Sequence, residues 1–593
     1  MLQRAERAAG PTPDPRRGAP LPIRYNRGAS SPRARARTPA VRPRSAAISK
    51  PSVARSTATM SVATTLSRVT GFVRMWATAY ALGATAMASA YSVANNVPNM
   101  IYELVVGGII SSLFIPTFME IRSNEGEQRA WRFASHLFNL AVLGLGAIAV
   151  VGILFPEPFI WTQTFRMGSA EAGSVRPIAS AFFAIFAIKI MLYGAGSVVS
   201  GLLNSDRRYL WVALGPVFNN VVVIAALFVY AAVVGDNERL AFYILAGGTT
   251  AGVAVMYLVQ LPSLLKSGWR YEFGVDLKDP GIRRMAKLAL PTIVYVATNM
   301  VAVSVRNSSA FAVSPEGPAR LMYAWTFYQL PYGILAVSLT TALFTELSDA
   351  AGRQDWGAFR RDVARGLRST AVLILPMAAT MIALATPLVR LYQVGEFDAA
   401  SVGPVASALR WWSVALVFYS ATMFLLRTFY SLKDTKTPMT VNLVLTGVQI
   451  GLYFLLTTGA AGWAGLGLDG IPIADAVFFA LSMVALAAIL RRRVGDYELP
   501  DVGLTFGKVA VAAAAGAVAA WGAARLLAPL AGGVSGALLQ TAGGGVAGLA
   551  VTYGIAAALR VHELASAAAL LRRKLVPSRA QRAPDMDPEE PDA

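Results

Sequence analysis

The chain has 593 residues, of which 55% are hydrophobic and only 15% are charged. Soluble domains carry about 25% charged residues, so this composition excludes an ordinary soluble fold. Long apolar runs recur from residue 58 to residue 560 and indicate a series of membrane-spanning segments. Because lipid cannot satisfy bare backbone groups, we expect these segments to be α-helices.

The N-terminal tail carries much of the net charge of +20. Residues 1–55 contain thirteen Arg and Lys residues against Glu6 and Asp14, a local charge of +11. Nine prolines and no apolar periodicity predict that residues 1–57 form a disordered cytoplasmic tail, which fixes topology and contacts anionic lipid headgroups. Nucleic-acid binding by this tail is the less favoured alternative, so no nucleic-acid partner is expected.

The residues that usually carry enzyme chemistry are scarce. There is no cysteine, and His136 and His562 are the only histidines in the sequence. Thiolate chemistry is therefore excluded, and with so few soft ligands no zinc or copper site is expected. Without a Gly-rich phosphate loop or a Ser/His/Asp cluster, we expect neither an enzyme nor a bound cofactor.

Hydrophobic periodicity predicts an all-α polytopic membrane protein with about fourteen transmembrane helices. The second predicted helix is too long for one straight span and contains Pro98, Gly107, Gly108 and Pro116, so we expect a kink or local unwinding there. The predicted ranges are 58–83, 89–120, 131–155, 175–203, 209–234, 240–264, 286–311, 319–347, 368–391, 404–430, 438–458, 468–490, 506–528 and 537–560.

Loop charge predicts the orientation. If the basic tail is cytoplasmic, the loops that follow even-numbered helices carry 22 basic residues, against four in the opposite set. An even helix count also places the cluster Arg572–Lys574 inside, followed by a disordered acidic end at residues 576–593. We therefore expect a multi-pass protein of the bacterial cell membrane with both termini in the cytoplasm.

Charged residues inside predicted helices mark the candidate site. Arg68 and Arg74 lie roughly 15 and 24 Å along the first helix at about 1.5 Å per residue. An arginine near mid-bilayer costs about 2.5–3.5 kcal/mol, so the pair should face water, a partner or an anion. Guanidinium groups bind phosphate oxygens bidentately, which favours a phosphate-bearing ligand.

Three more charges are candidates for the same region. Lys189 and Arg306 lie well inside their predicted helices and are candidate cavity residues that would bind substrate. Glu103 is a candidate charge partner or cavity-lining residue. The alternative is that Arg68 and Arg74 serve structure only, by pairing with Glu103 or by snorkelling to the interface.

The remaining intramembrane charges lie closer to predicted helix ends. For Arg410 and Arg427 we favour an interfacial position. Asp475 lies near a predicted helix start, which favours an interfacial residue over an acid that couples transport to an ion.

Several motifs resemble those of the MurJ/MviN proteins, the lipid II flippases of bacterial cell-wall synthesis. The resemblance covers about residues 58–560, and its first and last motifs are the more specific ones. The motifs are SRVTGFVR at 67–74, PNMIYELVVGG at 98–108, IPTF at 115–118, GLLNSDRRY at 201–209 with Pro216 and Asn220, LPYGILAVSLTTALF at 330–344, YQVGEF at 392–397 and FYSLKDTKTP at 429–438.

This resemblance implies a transporter of the multidrug/oligosaccharidyl-lipid/polysaccharide exporter superfamily. Two six-helix lobes, here 58–264 and 286–490, would surround a central cationic cavity and be joined by a cytoplasmic linker at 265–285. Two additional transmembrane helices, within 506–560, would form a groove for a polyprenyl tail.

The implied function is to flip undecaprenyl-pyrophosphate-linked peptidoglycan precursor to the outer leaflet by alternating access. Arg68 and Arg74 match first-helix arginines that the family links to the substrate diphosphate. The implied partners are lipid II or a similar polyprenyl-pyrophosphate-linked glycan, membrane lipid and proteins of cell-wall synthesis. A monomer is expected.

The chain also departs from the family pattern. Ser89 replaces an acidic residue common in the family, Tyr102 and Glu103 replace basic ones, and Thr326 replaces an arginine. These departures keep two alternatives open. One is a flippase or exporter for another polyprenyl-linked glycan, and the other is a non-transporting scaffold or regulator of cell-wall synthesis.

The predicted topology can be tested by cysteine labelling, because the natural chain contains no thiol. The segments 265–286 and 348–367 should be cytoplasmic, and 156–174 should lie outside. A Gly357→Cys variant in intact cells should resist an impermeant thiol reagent until the membrane is permeabilised. Labelling of this variant from outside would reverse the assigned orientation.

Overall fold

The computed structural model describes residues 53–107, 113–333, 337–460, 462–561 and 563–564. These ranges are almost entirely helical and contain no β-strand. The predictions for the basic tail up to residue 52, for Arg572–Lys574 and for 576–593 concern residues outside the described ranges.

The described helices fall into two halves along the chain. The first half contains α1 Val53–Leu82, α2 Ala86–Tyr102, α3 Ile115–Asn124, α4 Glu127–Leu154, α5 Pro156–Thr164, α6 Ser169–Phe186, α7 Ile188–Ser205, α8 Tyr209–Val233, α9 Glu238–Leu258 and α10 Leu261–Leu265. The second contains α11 Pro280–Val313, α12 Gly317–Pro331, α13 Val337–Gly352, α14 Trp356–Ala383, α15 Ala385–Arg390, α16 Ala399–Ser431, α17 Lys436–Thr458, α18 Gly470–Val494, α19 Leu499–Leu527 and α20 Gly533–Ala558.

Every predicted span coincides with one helix or with two consecutive helices. Ten of the described helical segments are long and apolar enough to cross a membrane, which makes the chain a multi-pass membrane protein. The predicted spans 58–83, 89–120, 286–311 and 319–347 are not among these ten. They hold Arg68, Arg74, Glu103 and Arg306, so the count of fourteen stays a prediction.

The long second span is interrupted, as its prolines and glycines predict. After α2, residues Glu103–Gly107 form a π-helical turn, and α3 begins at Ile115. A similar break follows Pro331, where Tyr332 and Gly333 also adopt π-helical geometry. Such turns leave the regular hydrogen-bond ladder and are frequent at functional sites.

Buried apolar side chains form two large clusters. One is drawn mainly from α1–α9 and includes Phe118 and Phe182, whereas the other is drawn mainly from α12–α18 and includes Phe359 and Phe424. Helix α11 contributes to both clusters, with Met285 in the first and Val305 and Ala310 in the second. Each half therefore has its own core, and the lobe boundaries at 264 and 286 stay a prediction.

Helices α19 and α20 pack on each other through small residues. A Cβ added at Gly516 would lie 1.9 Å from the Thr552 hydroxyl oxygen, and one at Gly548 would lie 2.8 Å from the Ala520 Cβ. The two helices approach so closely that only glycine fits at positions 516 and 548. Small residues commonly allow such close approach between membrane helices.

The motif at 429–438 forms the turn between α16 and α17. Asp434 Oδ1 accepts the backbone N–H groups of Lys436 and Thr437, both at 3.0 Å, and its Oδ2 accepts from Arg493 at the end of α18. Burial acts to raise the pKa of Asp434, but these donors hold it below its ordinary value. The carboxylate therefore ties three helix ends together.

The two halves are joined at the end of the molecule that the charge pattern predicts to be outside. Glu396 donates its backbone N–H to the Tyr80 carbonyl at 3.1 Å, and the Tyr323 hydroxyl donates to the Gly83 carbonyl at 2.8 Å. The YQVGEF segment thus packs on the turn that follows α1.

A second set of contacts joins the halves at the same end. Arg166, between α5 and α6, donates through its side chain to Ser309 at 2.6 Å and to Thr458 at 2.8 Å. Its guanidinium carbon also lies 4.1 Å from the centre of the Phe454 ring. These contacts hold the loop of the first half against α11 and α17.

Gly83 and Gly395 make the first of these junctions sensitive to substitution, because both have a positive φ and an added Cβ at either would clash with a backbone carbonyl of the other half. Gly395 has φ +52°, and an added Cβ would lie 2.3 Å from the Tyr80 carbonyl oxygen. A left-handed conformation costs a non-glycine residue about 1–2 kcal/mol, and here the clash adds to it. Gly395→Ala should therefore lower the melting temperature of the purified protein.

The matched control is Gly507→Ala, because Gly507 lies within α19 and an added Cβ there meets nothing within 4 Å. This control should keep or slightly raise the wild-type melting temperature, because alanine favours a helix more than glycine does. Equal melting temperatures for both variants would contradict the proposed tight contact at Gly395.

Candidate functional site

A central cavity of about 880 Å³ lies between the two halves. Its walls come from α2, the π-helical turn after it, α11 and α12, with Trp412 of α16 completing the lining. Its polar lining residues are Ser92, Asn96, Asn99, Tyr102, Glu103, Tyr295, Asn299, Arg306 and Asn307.

Helical spacing brings these polar residues to the cavity. On α2 and the turn after it, Ser92, Asn96, Asn99 and Glu103 follow steps of four, three and four residues, which place them on one face. These asparagines are not among the predicted site residues, which were chosen for their full charges. The same spacing argument, applied to amides as well as charges, identifies them.

Arg306 is the cation that lines the central cavity in the part of the chain described. Its guanidinium carbon lies 5.1 Å from the centre of the Trp325 ring, in cation–π geometry. Arg306 also lines a second cavity, of about 210 Å³, that extends into the second half. No described carboxylate lies within 4 Å of it, so its charge is available to a ligand.

Arg74 lies in a small adjoining cavity of about 90 Å³. Thr78, Asn95 and Tyr193 share that space, and Ser92 and Met322 belong to the walls of both this cavity and the central one. Arg74 is therefore next to the central cavity without lining it in this conformation.

Arg68 is exposed and lies where α1 meets the break after α12. Its guanidinium occupies the space beside Gly333, since an added Cβ there would lie 2.1 Å from Arg68 Nη1. Asn220 of α8 fixes this stretch of α1 by donating to the Ser67 carbonyl at 3.3 Å and to the Thr70 hydroxyl at 3.0 Å. Motifs 67–74 and 330–344 thus meet through an arginine and a glycine.

Lys189 occupies a different environment from the other candidates. It is completely buried on α7, donates to the Asn95 side-chain oxygen and lies 3.9 Å from the centre of the Phe186 ring. It lines none of the three cavities described above. Its contact with Asn95 instead places it behind the wall of the cavity that holds Arg74.

Glu103 is exposed and lines the central cavity, as one of its two expected roles requires. Among the described ion pairs, none joins Glu103 to Arg68 or Arg74. The purely structural pairing of the two arginines with Glu103 is therefore not formed in this conformation.

The departures from the family pattern have structural roles. The Ser89 hydroxyl accepts the backbone N–H of Ala319 at 3.1 Å, which satisfies an otherwise unpaired donor at the start of α12. Tyr102 packs against Tyr193 with ring centres 5.5 Å apart. Thr326 donates to the Met322 carbonyl at 3.1 Å. Ser89, Tyr102 and Thr326 therefore each contribute a contact between or within helices.

Asp475 is buried between helices, and its interfacial position in the membrane stays a prediction. This side chain is 3% exposed and accepts hydrogen bonds from Trp412, Gln449 and Tyr453. Its position five residues into α18 suggested a helix end, but α16 and α17 cover it. Sequence spacing within one helix does not reveal such cover from its neighbours.

Three potential metal ligands lie near each other in the linker region. His136, Asp276 and Asp279 each offer an atom within 4.8 Å of the others. Asp279, however, already receives Arg129 Nη2 on one oxygen at 2.6 Å and the backbone N–H of Gly281 on the other at 2.8 Å. Its oxygens serve an ion pair and the start of α11.

Comparisons with known proteins agree with this architecture. The lipid II flippase MurJ of Burkholderia cenocepacia is 28% identical over 446 residues, covering 74% of this chain and 84% of that relative. A probable lipid II flippase MurJ of Rhizobium meliloti is also 28% identical, over 435 residues, covering 73% of this chain and 79% of the relative.

Solved structures share the fold. The inward closed conformation of a lipid II flippase MurJ superposes with a TM-score of 0.67 at 20% identity, covering 87% of this chain and 99% of that one. An inward-facing multidrug resistance transporter of the MATE family gives 0.59 at 15% identity, covering 73% of this chain and 94% of the other.

Residues 78–538 match the family described as lipid II flippase MurJ, which is more than half of the chain. The motifs, the two-core helical fold and the central cavity agree with this match. The chain belongs to the MurJ lipid II flippase family.

Proposed function

We propose that this protein flips lipid II, the undecaprenyl-pyrophosphate-linked peptidoglycan precursor, from the cytoplasmic to the outer leaflet. The observation that carries the proposal is a polar central cavity, lined by Arg306 and adjoined by Arg74, in a chain of this family. A cavity of amides and arginines provides donors for both sugar and phosphate groups.

The way the halves are joined supports alternating access as the mechanism. At one end, the halves are held together by the contacts of Arg166 and by the packing of Gly83 and Gly395 against the opposite half. Exposing the cavity at that end requires these contacts to separate. Repacking of two halves around a fixed site near mid-membrane is the general scheme of such transporters. We assign this end to the outer face of the cell membrane, both termini to the cytoplasm, and the working unit to a monomer.

The second candidate is transport of another polyprenyl-linked glycan. The observation that favours it is the cavity charge, because Glu103 places a carboxylate where family members carry basic residues. A carboxylate in the cavity repels part of an anionic headgroup and favours a substrate with different charge placement. A non-transporting scaffold is less favoured, since a scaffold does not need a cavity of about 880 Å³.

Complementation tests the proposed function directly. The full chain should restore growth to a bacterium depleted of its lipid II flippase. If abundant, correctly inserted protein does not restore growth and reconstituted protein does not move lipid II, the proposal is wrong. Movement of another polyprenyl-linked glycan in the same vesicles would then support the second candidate.

The arginines of α1 supply a sharper test of diphosphate binding. Arg74→Ala and Arg68→Ala should each abolish complementation while leaving the protein abundant and inserted. Lys should rescue poorly, because an ammonium group keeps the charge and loses the planar two-oxygen fork. Gln should fail more severely, since it also loses the charge.

Two further variants separate binding from structure. Arg353→Ala is the matched control, because the Arg353 side chain is 75% exposed just after α13 and lies outside the cavities described. It should complement normally. Combining Arg74→Ala with Glu103→Gln removes both members of the pair that the purely structural alternative would require. Restored transport in this double variant would contradict the binding role, and we expect folding without transport.

A further inference from the structure

Asp475 is a buried carboxylate that the proposed transport cycle has not used. Its Oδ2 accepts from Trp412 Nε1 at 2.8 Å, and its Oδ1 accepts from Gln449 Nε2 at 2.8 Å and from the Tyr453 hydroxyl. No described Arg, Lys or His forms an ion pair with it. Burial of a carboxylate is tolerated when hydrogen bonds replace its hydration, and these three donors from α16 and α17 do so.

Trp412 connects this carboxylate to the central cavity. The indole is 1% exposed and its N–H is directed at Asp475. Its ring contacts Trp325 edge to face, with centres 5.1 Å apart and planes at 73°. Since the hydrogen bond fixes the Trp412 ring, it also fixes the surface against which Trp325 packs.

Trp325 in turn supports Arg306, whose guanidinium carbon lies 5.1 Å from its ring centre. Four side chains therefore form a continuous series: Asp475, Trp412, Trp325 and Arg306. An arginine side chain has many rotamers, and holding it in one before a ligand arrives reduces the ordering that binding requires. The series provides such support from the core of the second half.

Charge acts in the same direction as packing. Arg306 and Asp475 both line the second cavity, of about 210 Å³, which continues from the central one. Opposite charges attract more strongly in a protein interior than in water. This attraction favours the position of Arg306 at the junction of the two cavities over other orientations.

We propose that Asp475 and Trp412 are positioning residues that hold Arg306 at the wall of the central cavity to bind an anionic oxygen group of the transported headgroup. The proposal rests on the proposed function, because it takes Arg306 to face the substrate. It adds a positioning network in the second half to the arginines of α1.

Fluorine NMR tests the positioning without any ligand. The full chain, purified with 5-fluorotryptophan in its eleven tryptophans, should give signals for Trp412 and Trp325 that Trp→Phe variants assign. Asp475→Asn should shift both signals. Asp469→Asn is the control, because Asp469 accepts from Ser407 at 2.6 Å and contacts neither tryptophan in these networks. A Trp325 signal unmoved by Asp475→Asn would overturn the proposal.

Binding of lipid II to the same proteins tests the consequence for the ligand. Arg306→Gln and Asp475→Asn should each weaken binding by about tenfold, the scale of one desolvated cationic contact. The double variant should bind no more weakly than Arg306→Gln alone, because Asp475 acts through Arg306. Additive losses, about 100-fold in total, would mean independent roles and overturn the proposal.

Trp412→Phe replaces Asp475→Asn if the latter does not fold, since it keeps an aromatic ring and removes the N–H donor together with the five-membered ring of the indole. It should likewise shift the Trp325 signal and add nothing to Arg306→Gln. If wild-type protein fails to bind lipid II, the proposed function is wrong, whereas the fluorine signals still decide whether Asp475 positions Trp325.

Discussion

The cost of placing charge and amide groups in a membrane governs this structure. An arginine near mid-bilayer costs about 2.5–3.5 kcal/mol when it faces lipid, so each polar helix face must turn toward another polar face or toward water. The four predicted spans that are too polar or too interrupted to count as ordinary membrane helices contain Arg68, Arg74, Glu103 and Arg306. These spans meet at the interface of the two halves, and the central cavity lies there.

The same constraint explains why the two cores are apolar whereas polar groups collect at the interface between the halves. Within each half, aromatic and aliphatic side chains pack densely, as Phe182 and Phe424 illustrate. Between the halves, contact involves glycines, backbone carbonyls and single polar side chains such as Arg166, together with the rings of Phe72, Phe327 and Tyr392. Two separate cores are compatible with the proposed alternating access, in which each half would move as a unit and the interface between them would open.

The sequence predicted the fold better than the site. Helix positions follow from long apolar runs, and the breaks after Tyr102 and Pro331 follow from proline and glycine, because these signals are local. The site depends on which helices become neighbours. Lys189 turned out to lie behind Asn95, and Asp475 is covered by α16 and α17. Neither position can be derived from the spacing along its own helix.

The size of the central cavity has a consequence for transport without substrate. At about 30 Å³ per water molecule, a space of 880 Å³ would hold on the order of 30 waters. Each empty cycle would carry that volume of solvent, with any dissolved ions, across the bilayer. A transporter with a cavity of this size would therefore need a high free-energy barrier between its two conformations when the cavity holds no substrate. Substrate binding would have to lower that barrier. The leak of solutes through the membrane would then depend on how rarely the protein without substrate changes conformation.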